Sequence, residues 1–427
     1  MENQSFNLTD QTKVFKEVYE KRSMNVYNSE NVLDGRMKKN YKFTGRQKFV
    51  HTPLSFSGGV GSGKLPQSNA GDYEGAIIVS KKIYATCTIE REAIYASKDE
   101  KGAFVDATKE TIKKTLESAM RNNSRILFND GSGILGRGDG ATNVTGLGTE
   151  VSPYLVTISD ASWNEANFEE KDFVQVVSTL AAFPSNAGGS AEGGDAITNL
   201  LEVEVVDEVN KQVHLVGTSA VLAALAGVGP FPALSGLCMQ RSYNRDPQGL
   251  KGIFDISESG VGSIYSIPVQ RRWKAYILDA SLEGVTTDMI NGVMLKVKKQ
   301  CGKMPNMIMA SFEQYQNILA LLEDEKVYNL PNKNLKGHMG FEGVEYVGAA
   351  GKKIGIFIDR FAKEDEIHLL MDEGIERYHR PGWGWFTDDG TVFLREQGED
   401  DYNARYGGYY QNFIVPTGHA KIKNLAV

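Results

Sequence analysis

The chain has 427 residues, 41% hydrophobic and 24% charged, with a formal net charge of −7. That length allows two or three domains with their own cores, and the acidic balance excludes bulk attraction to nucleic acid or to an anionic membrane. Cys87, Cys238 and Cys301 lack metal-ligand spacing and even pairing, so reduced structural thiols of a cytoplasmic setting are expected, and the polar start MENQSFNLTD predicts no signal peptide.

The first predicted element is a short helix over 9–22, with Val14, Phe15, Val18 and Tyr19 on one face and Thr9 or Asp10 as its cap. It is too short to stand alone and needs a surface to dock on. Residues 23–45 are polar and basic without periodicity and read as an extended arm. Arg36, Lys38, Lys39, Lys42, Arg46 and Lys48 form a run with no acidic residue between Gly35 and Gly71. Six cations without counter-charges predict contact with another subunit or with packaged nucleic acid; a solvated arm is the plainer reading.

Two strand-like segments follow, QKFVHTPLSF (47–56) and GAIIVSKKIYATCTIE (75–90), which predict a long hairpin with a broad tip at 57–74. A two-stranded ribbon is marginal in isolation, so it must lie on another domain or another subunit. Residues 103–130 carry the strongest helical stripe: Val105, Thr108, Ile112, Leu116, Ala119, Met120, Asn123 and Leu127, with Gly131 at the expected C-terminal position. Such a helix spans about 35–40 Å and reads as a strut. Residues 131–148 are too glycine-rich to pack and read as a loop. YLVTI, FVQVV, LEVEVV and VHLV within 151–216 predict a small inserted β-domain. The apolar window 220–238 holds Pro230, Pro232 and four glycines, which argues against a spanning helix and for a buried or interfacial loop. From 264 onward strands and helices alternate: helices over 288–302 and 312–323, strands at NMIMA, VEYVG, KIGIFI and IHLLM. The C-terminal stretch from 376 is aromatic-rich and strand-like.

SFSGGVGSGKLP (55–66) looks at first like a nucleotide-binding loop. Leu65 occupies the Mg²⁺-ligand position, Pro66 follows, no helix leaves the loop, and Pro53 lies in the entering strand. Nucleotide binding is therefore not expected, and neither is a cofactor or a metal. Arg137-Gly138-Asp139 is a tripeptide common by chance in glycine loops. The six histidines are scattered and read as satisfied structural residues, Asp388-Asp389-Gly390 is a turn signature, and GEDDYN (398–403) reads as a solvated acidic turn. No catalytic constellation is visible, so no enzyme is expected.

The order of elements, with the phrases IEREAIYASKDEKGAFVDATKETI and RILFNDGSGILG, resembles the major capsid protein of tailed double-stranded DNA bacteriophages. That fold is shared with encapsulins and the herpesvirus capsid floor. The resemblance implies an α+β fold with an N-arm (1–45), an E-loop hairpin (46–92), a peripheral domain (93–150) with its spine helix at 103–130, an inserted β-domain (151–216), a connecting segment (217–263), an axial domain (264–375) and C-terminal strands returning to the peripheral domain (376–427). The inserted β-domain departs from the family pattern, as does the lack of a long N-terminal coiled segment. No residue pair is identified for the Lys–Asn cross-link that some relatives make. The implied partners are further copies of the chain in hexamers and pentamers, the portal, candidate scaffold or auxiliary capsid proteins, and packaged DNA held non-specifically on the inner face, with no membrane. The implied place is the virion, assembled in the host cytoplasm. An encapsulin-like compartment shell or another oligomeric virion component is the alternative. Phe56, Gly58, Gly61, Gly63, Lys64, Ile77 and Val79 are then the subunit-interface candidates, the glycines letting the loop tip adapt to different local curvature.

Overall fold

The computed structural model describes residues 32–41, 47–51, 73–90, 101–177, 200–324, 344–347, 353–379, 384–386, 392–395 and 401–427. The predicted helix at 9–22, residues 57–72 of the predicted 57–74 tip (Leu65 and Pro66 among them) and the turn at 388–390 lie outside the described residues, while Tyr73 and Glu74 of that tip are strand. In chain order, the short helix α1 (Val32–Arg36) leads into β1 (Lys38–Asn40), a ribbon of β2 (Gln47–His51) and β3 (Tyr73–Ile77), then β4 (Lys81–Glu90).

The long helix α2 runs unbroken from Lys101 to Phe128, two residues ahead of the sequence reading at each end. Asn123 to Asn129 are all buried, so its last turns are covered all round rather than along one stripe. Ile126 packs with Ile83 and Tyr410 on one side, and Leu127 and Phe128 join the main core on another. Gly249 lies against the helix's exposed carbonyl end: a Cβ there would come within 2.2 Å of the Asn129 carbonyl oxygen.

An antiparallel sheet follows, built from β5 (Ile134–Arg137), β6 (Tyr154–Thr157), β7 (Phe173–Val177), β8 (Leu201–Asp207), β9 (Gln212–Gly217) and β10 (Gly236–Met239), in the order β5-β10-β7-β8-β9-β6. Leu135, Val156, Val203, Leu215, Phe231 and Leu237 fill its core. The expectation that 131–148 cannot pack is corrected: β5 lies inside it, with Ile134, Leu135 and Gly136 buried. Small residues are what let the backbone close in here, since a Cβ on Gly138 would meet the Phe231 carbonyl at 2.3 Å. The sheet thus draws strands from both sides of 151–216. The 220–238 window is not all loop either. It opens with helix α3 (Ala220–Leu225), capped where the Ser219 side chain accepts from Leu222 N–H, and ends in β10.

Helix α4 (Leu250–Ser259) was not anticipated, although Leu250, Ile253, Phe254 and Ser257 repeat at i, i+3, i+4 and i+7 and are buried, and Gly260 closes the helix at φ 66°. After the two-residue strands β11 (Ser263–Ile264) and β12 (Ile267–Pro268) comes β13 (Tyr276–Asp279), then α5 (Thr287–Cys301), β14 (Met307–Ala310), α6 (Phe312–Asp324), β15 (Val344–Val347), β16 (Lys353–Ile358) and β17 (Ile367–Leu370). α5 has the caps its sequence announces: Thr286 accepts from Met289 N–H, and Gly302 takes the left-handed conformation at φ 79°. These strands form a mixed sheet in the order β13-β22-β17-β14-β16-β15. β22 (Ala420–Lys423) sits parallel to β13 and antiparallel to β17, so residues from the C-terminal stretch complete the 264–375 sheet. Along β14 the side chains alternate between two cores. Ile308 and Ala310 face α5 and α6 through Ile290, Met294 and Ile318, while Met307 and Met309 face Phe254, Trp273 and Phe361.

The remaining strands, β18 (Ile375–His379), β19 (Gly384–Trp385), β20 (Phe393–Arg395) and the fourteen-residue β21 (Asp401–Ile414), build a third large sheet with β1 and β4 around β21. Asp401, Tyr402 and Asn403 belong to β21 and pair with Glu90, Ile89 and Thr88; that half of the acidic GEDDYN stretch is strand rather than solvated turn.

Candidate assembly surfaces

The hairpin predicted over 47–90 is two structures. β2 and β3 pair from Gln47↔Ile77 to His51↔Tyr73, and among the described residues no third strand joins them. The chain leaves this ribbon at 78–80, and β4 pairs along β21 from Lys81↔Tyr410 to Glu90↔Asp401. The expectation that 75–90 is one strand of a single hairpin is therefore corrected: only its first three residues, Gly75–Ile77, lie in the ribbon, and β4 is a partner strand in the chain's own sheet. At the ribbon base the alternation is clean. Ala76 and Ile78 are buried in the main core beside Leu127, Ile253 and Trp273, whereas Ile77 is 38% and Val79 55% exposed. Ile77 N–H donates to the Tyr265 carbonyl at 2.9 Å and fixes the base. Tyr84, 46% exposed on β4, packs with Phe386 and Tyr409. Phe56, Gly58, Gly61, Gly63 and Lys64 lie outside the described residues; Lys48 stands in β2 opposite Ala76.

The arm's last stretch is anchored rather than free. β1 lies parallel to β18, with Lys39 opposite Arg377, and Leu33 and Met37 are buried. Asp34 is the polar anchor: its carboxylate accepts from the buried Arg377 guanidinium, from Lys39 Nζ at 3.0 Å and from Asn123 Nδ2 of α2 at 3.1 Å. Burial pushes the Asp34 carboxyl up, but Arg377 and Lys39 outweigh it and hold it below the ordinary carboxylate range. Arg377 also donates through Nε to Asn412 at 2.9 Å and covers the Tyr410 ring, while the Tyr410 hydroxyl donates to Asn123. Residues 34–39, α2, β18 and β21 thus share one network around the buried Arg377, and removing one member of such a pair costs about 3–5 kcal/mol. The expected lack of counter-charges fails at two positions: Lys38 lies 3.9 Å from Glu376 and Lys39 pairs with Asp34. Arg36 is exposed and sits over the Phe357 ring at 3.9 Å. Lys42 and Arg46 fall outside the described residues.

Three buried histidines, His368, His379 and His419, are not fully satisfied by hydrogen bonds as expected: each leaves at least one ring nitrogen without a hydrogen bond. Neither ring nitrogen of His379 has a partner; the ring stacks on Tyr41 at 4.7 Å and lies 5.8 Å from Tyr410. His368 is sandwiched against Phe254 with its Nδ1 unpartnered. His419 accepts from Met371 N–H through Nδ1. Burial pushes all three down to about 4, with Arg377 and Lys39 adding to the effect at His379. Asp359 goes the other way, to about 7, because burial outweighs the Phe361 N–H it accepts. The Arg-Gly-Asp tripeptide has a local job: Asp139 accepts from Ala141 and Thr142 N–H and shapes the turn after β5. Cys87 and Cys238 are buried and all three cysteines are free; burial raises Cys87 and pushes Cys238 up to about 12. Among the described residues no cluster of His, Cys, Asp and Glu is placed to hold a metal, and no helix is long and apolar enough to cross a membrane.

No known protein-family profile matches the chain, and no curated protein is similar to it in sequence. Solved structures are similar in fold. A chain of the cyanophage A-1(L) capsid asymmetric unit superposes with a TM-score of 0.54 over 97% of this chain and 98% of that one, at 11% identity. A chain from the capsid of an empty GTA particle covers 98% of both, with a TM-score of 0.44 and 7% identity. The SrpI encapsulin of Synechococcus elongatus covers 35% of this chain and 52% of that one, with a TM-score of 0.24 and 10% identity. The α+β architecture described above is the fold of a tailed-phage capsid subunit.

Proposed function

We propose that the chain is the major capsid protein of a tailed phage, self-assembling into the icosahedral shell that encloses a double-stranded DNA genome. The observation that carries this is the end-to-end likeness to a cyanophage capsid subunit, joined to a ribbon that stays two-stranded among the described residues. In this reading the 46–92 segment is the E-loop, and Ile77 and Val79 are covered by a neighbouring subunit, with Phe56, Gly58, Gly61, Gly63 and Lys64 at its tip. The arm (1–45) and its cations Arg36, Lys38, Lys39, Lys42, Arg46 and Lys48 lie at subunit contacts or toward the DNA. Residues 264–375 with β22 make the axial domain. The partners are copies of the chain in hexamers and pentamers, a portal, and scaffold or auxiliary capsid proteins. The protein works in the virion after assembly in the host cytoplasm and catalyses no reaction. Negative-stain microscopy and sedimentation of the purified protein test this: uniform icosahedral particles are expected, and a small oligomer with turnover of a substrate overturns it.

A further inference from the structure

Charge is unevenly spread about the mixed sheet: the unit on one face is strongly acidic, while on the other the C-terminal end of α5 is basic and the neighbouring α6 carries Glu313, Glu323 and Asp324 with no basic residue. The described part of the antiparallel-sheet unit, 134–177 and 200–239, carries eleven acidic side chains against three basic ones, a net of −8 in a chain whose total is −7. This unit meets the mixed sheet from the Met307 and Met309 side. Ala166 is part of that core, Asn164 Nδ2 donates to the Phe361 carbonyl at 3.0 Å, and Glu169 pairs with Arg360 at 2.9 Å. α5 covers the opposite side, burying Ile290, Val293, Met294 and Val297.

The outward side of α5 is basic. Lys296, Lys298 and Lys299 are exposed within about one turn. Gln300 Nε2 donates to the Arg271 carbonyl at 3.0 Å and the Lys274 carbonyl at 2.8 Å, which clamps the 271–274 loop beside the helix end. Trp273, 1% exposed, roots the same loop in the core and leaves Arg271 and Arg272 turned out. Residues 271–303 contain seven basic and three acidic side chains, and neither 268–278 nor 289–306 contains an acidic one. Lys303 extends the ledge and is paired with Glu373 at 2.5 Å.

We propose that this ledge, formed by Lys296, Lys298, Lys299, Arg271, Arg272 and Lys274, is the phosphate-contacting surface of the subunit. The acidic 134–239 unit stands on the far side of the shell, away from the DNA. The proposal rests on the reading of the chain as a shell around DNA. Its physical basis is that duplex DNA carries about one negative charge per 1.7 Å and attracts fixed cations while repelling a strongly acidic unit. Trp273 and Gln300 hold the backbone of the 271–274 loop in place, so the loop itself need not be ordered on contact.

The test is binding of a short mixed-sequence duplex to purified protein across a salt series. Wild type is expected to bind with affinity falling steeply as salt rises. The triple variant Lys296→Gln, Lys298→Gln, Lys299→Gln is expected to bind at least tenfold more weakly, with the slope of log K against log salt reduced by about 0.9 per lost phosphate contact and with an unchanged melting temperature. Lys171→Gln with Lys211→Gln, on the acidic unit, is expected to leave affinity and slope unchanged. An unchanged affinity and slope in the α5 triple variant, or an equal loss in the Lys171 and Lys211 variant, overturns the proposal. Sidedness is read on intact filled particles: Val209→Cys, at a site 89% exposed, in a Cys301→Ser background should react with a bulky maleimide. Protection until the particles are opened overturns it. If no particles form at all, the capsid reading fails, while duplex binding by the subunit still decides the ledge.

Discussion

The mixed sheet and the β2–β3 ribbon end in opposite conditions, and their sequences differ: β14 (MIMA) is apolar and buried throughout, whereas the ribbon base alternates. The mixed sheet has cover on both faces, from α5 and α6 on one and from α4 and the end of α2 on the other. The ribbon has two strands, and its base sends Ala76 and Ile78 inward while Ile77 and Val79 stay out. Alternation in sequence therefore says that a strand has two faces and leaves open what covers each. The sheet shows where the chain meets its own needs, and the ribbon is where the proposed shell would call on a neighbour.

The largest way to break the contrast is through the helix that serves both. Leu116→Pro in α2 is expected to cost about 3 kcal/mol or more from the lost hydrogen bond and clash alone, and to abolish soluble protein; normal yield and melting would overturn the helix's role as a strut. Next is the sheet's own cover. Met294→Ala, at a fully buried position on α5, should lower the unfolding free energy of the isolated subunit by about 2–5 kcal/mol, read by urea denaturation.

A third effect is pH-dependent. His379 is held near pH 4 in the fold against about 6.5 when unfolded. As pH falls from 6.5 to 4 the unfolded chain takes up the proton and the fold does not, so stability is lost over that window, at up to about 1.4 kcal/mol per pH unit. His379→Phe keeps the stacking on Tyr41 and should become more stable relative to wild type across that range, with no relative change above pH 7. Asp359, at about 7, predicts the mirror image: Asp359→Asn should gain relative stability as pH rises from 4 to 7. Parallel curves for wild type and either variant would remove that residue from the account.

The smallest effect on the subunit falls on the ribbon. Ile77→Ser should change subunit stability by no more than about 0.5 kcal/mol, as for exposed positions generally, while reducing particle yield. Replacing 57–72 by a two-residue turn, which leaves β3 intact, should reduce particle yield further. Full particle yield from both would show that the ribbon is not a subunit contact.

Much of this was legible because local rules and tertiary demands agree. α2, α5 and the strands at Met307–Ala310 and Ile367–Leu370 carry period, caps and flanking glycines that name them. α4 was equally legible through its Leu250, Ile253, Phe254 and Ser257 spacing and Gly260, but it sits in a stretch dominated by turn residues. β5 was hidden because its glycines look like loop and serve as close-packing points. The split of 75–90 between the ribbon and β21 could not be read from residues 75–90 at all, since the partner strand lies more than three hundred residues away. The anchoring of Lys39 depended on Asp34, whose own partners Asn123 and Arg377 come from distant strands and helices.

β22 occupies an inner position of the mixed sheet, between β13 and β17, although it is made roughly 140 residues after β13. During synthesis the sheet must wait with two facing open edges until Ala420–Lys423 emerges. A chain broken off upstream of Ala420 would keep both edges bare and leave Ile367 and Leu369 without the Ile422 and Ala420 backbone beside them. The late strand thus ties the folding of the whole mixed sheet to its last-made residues, because no earlier part of the sheet can close without it.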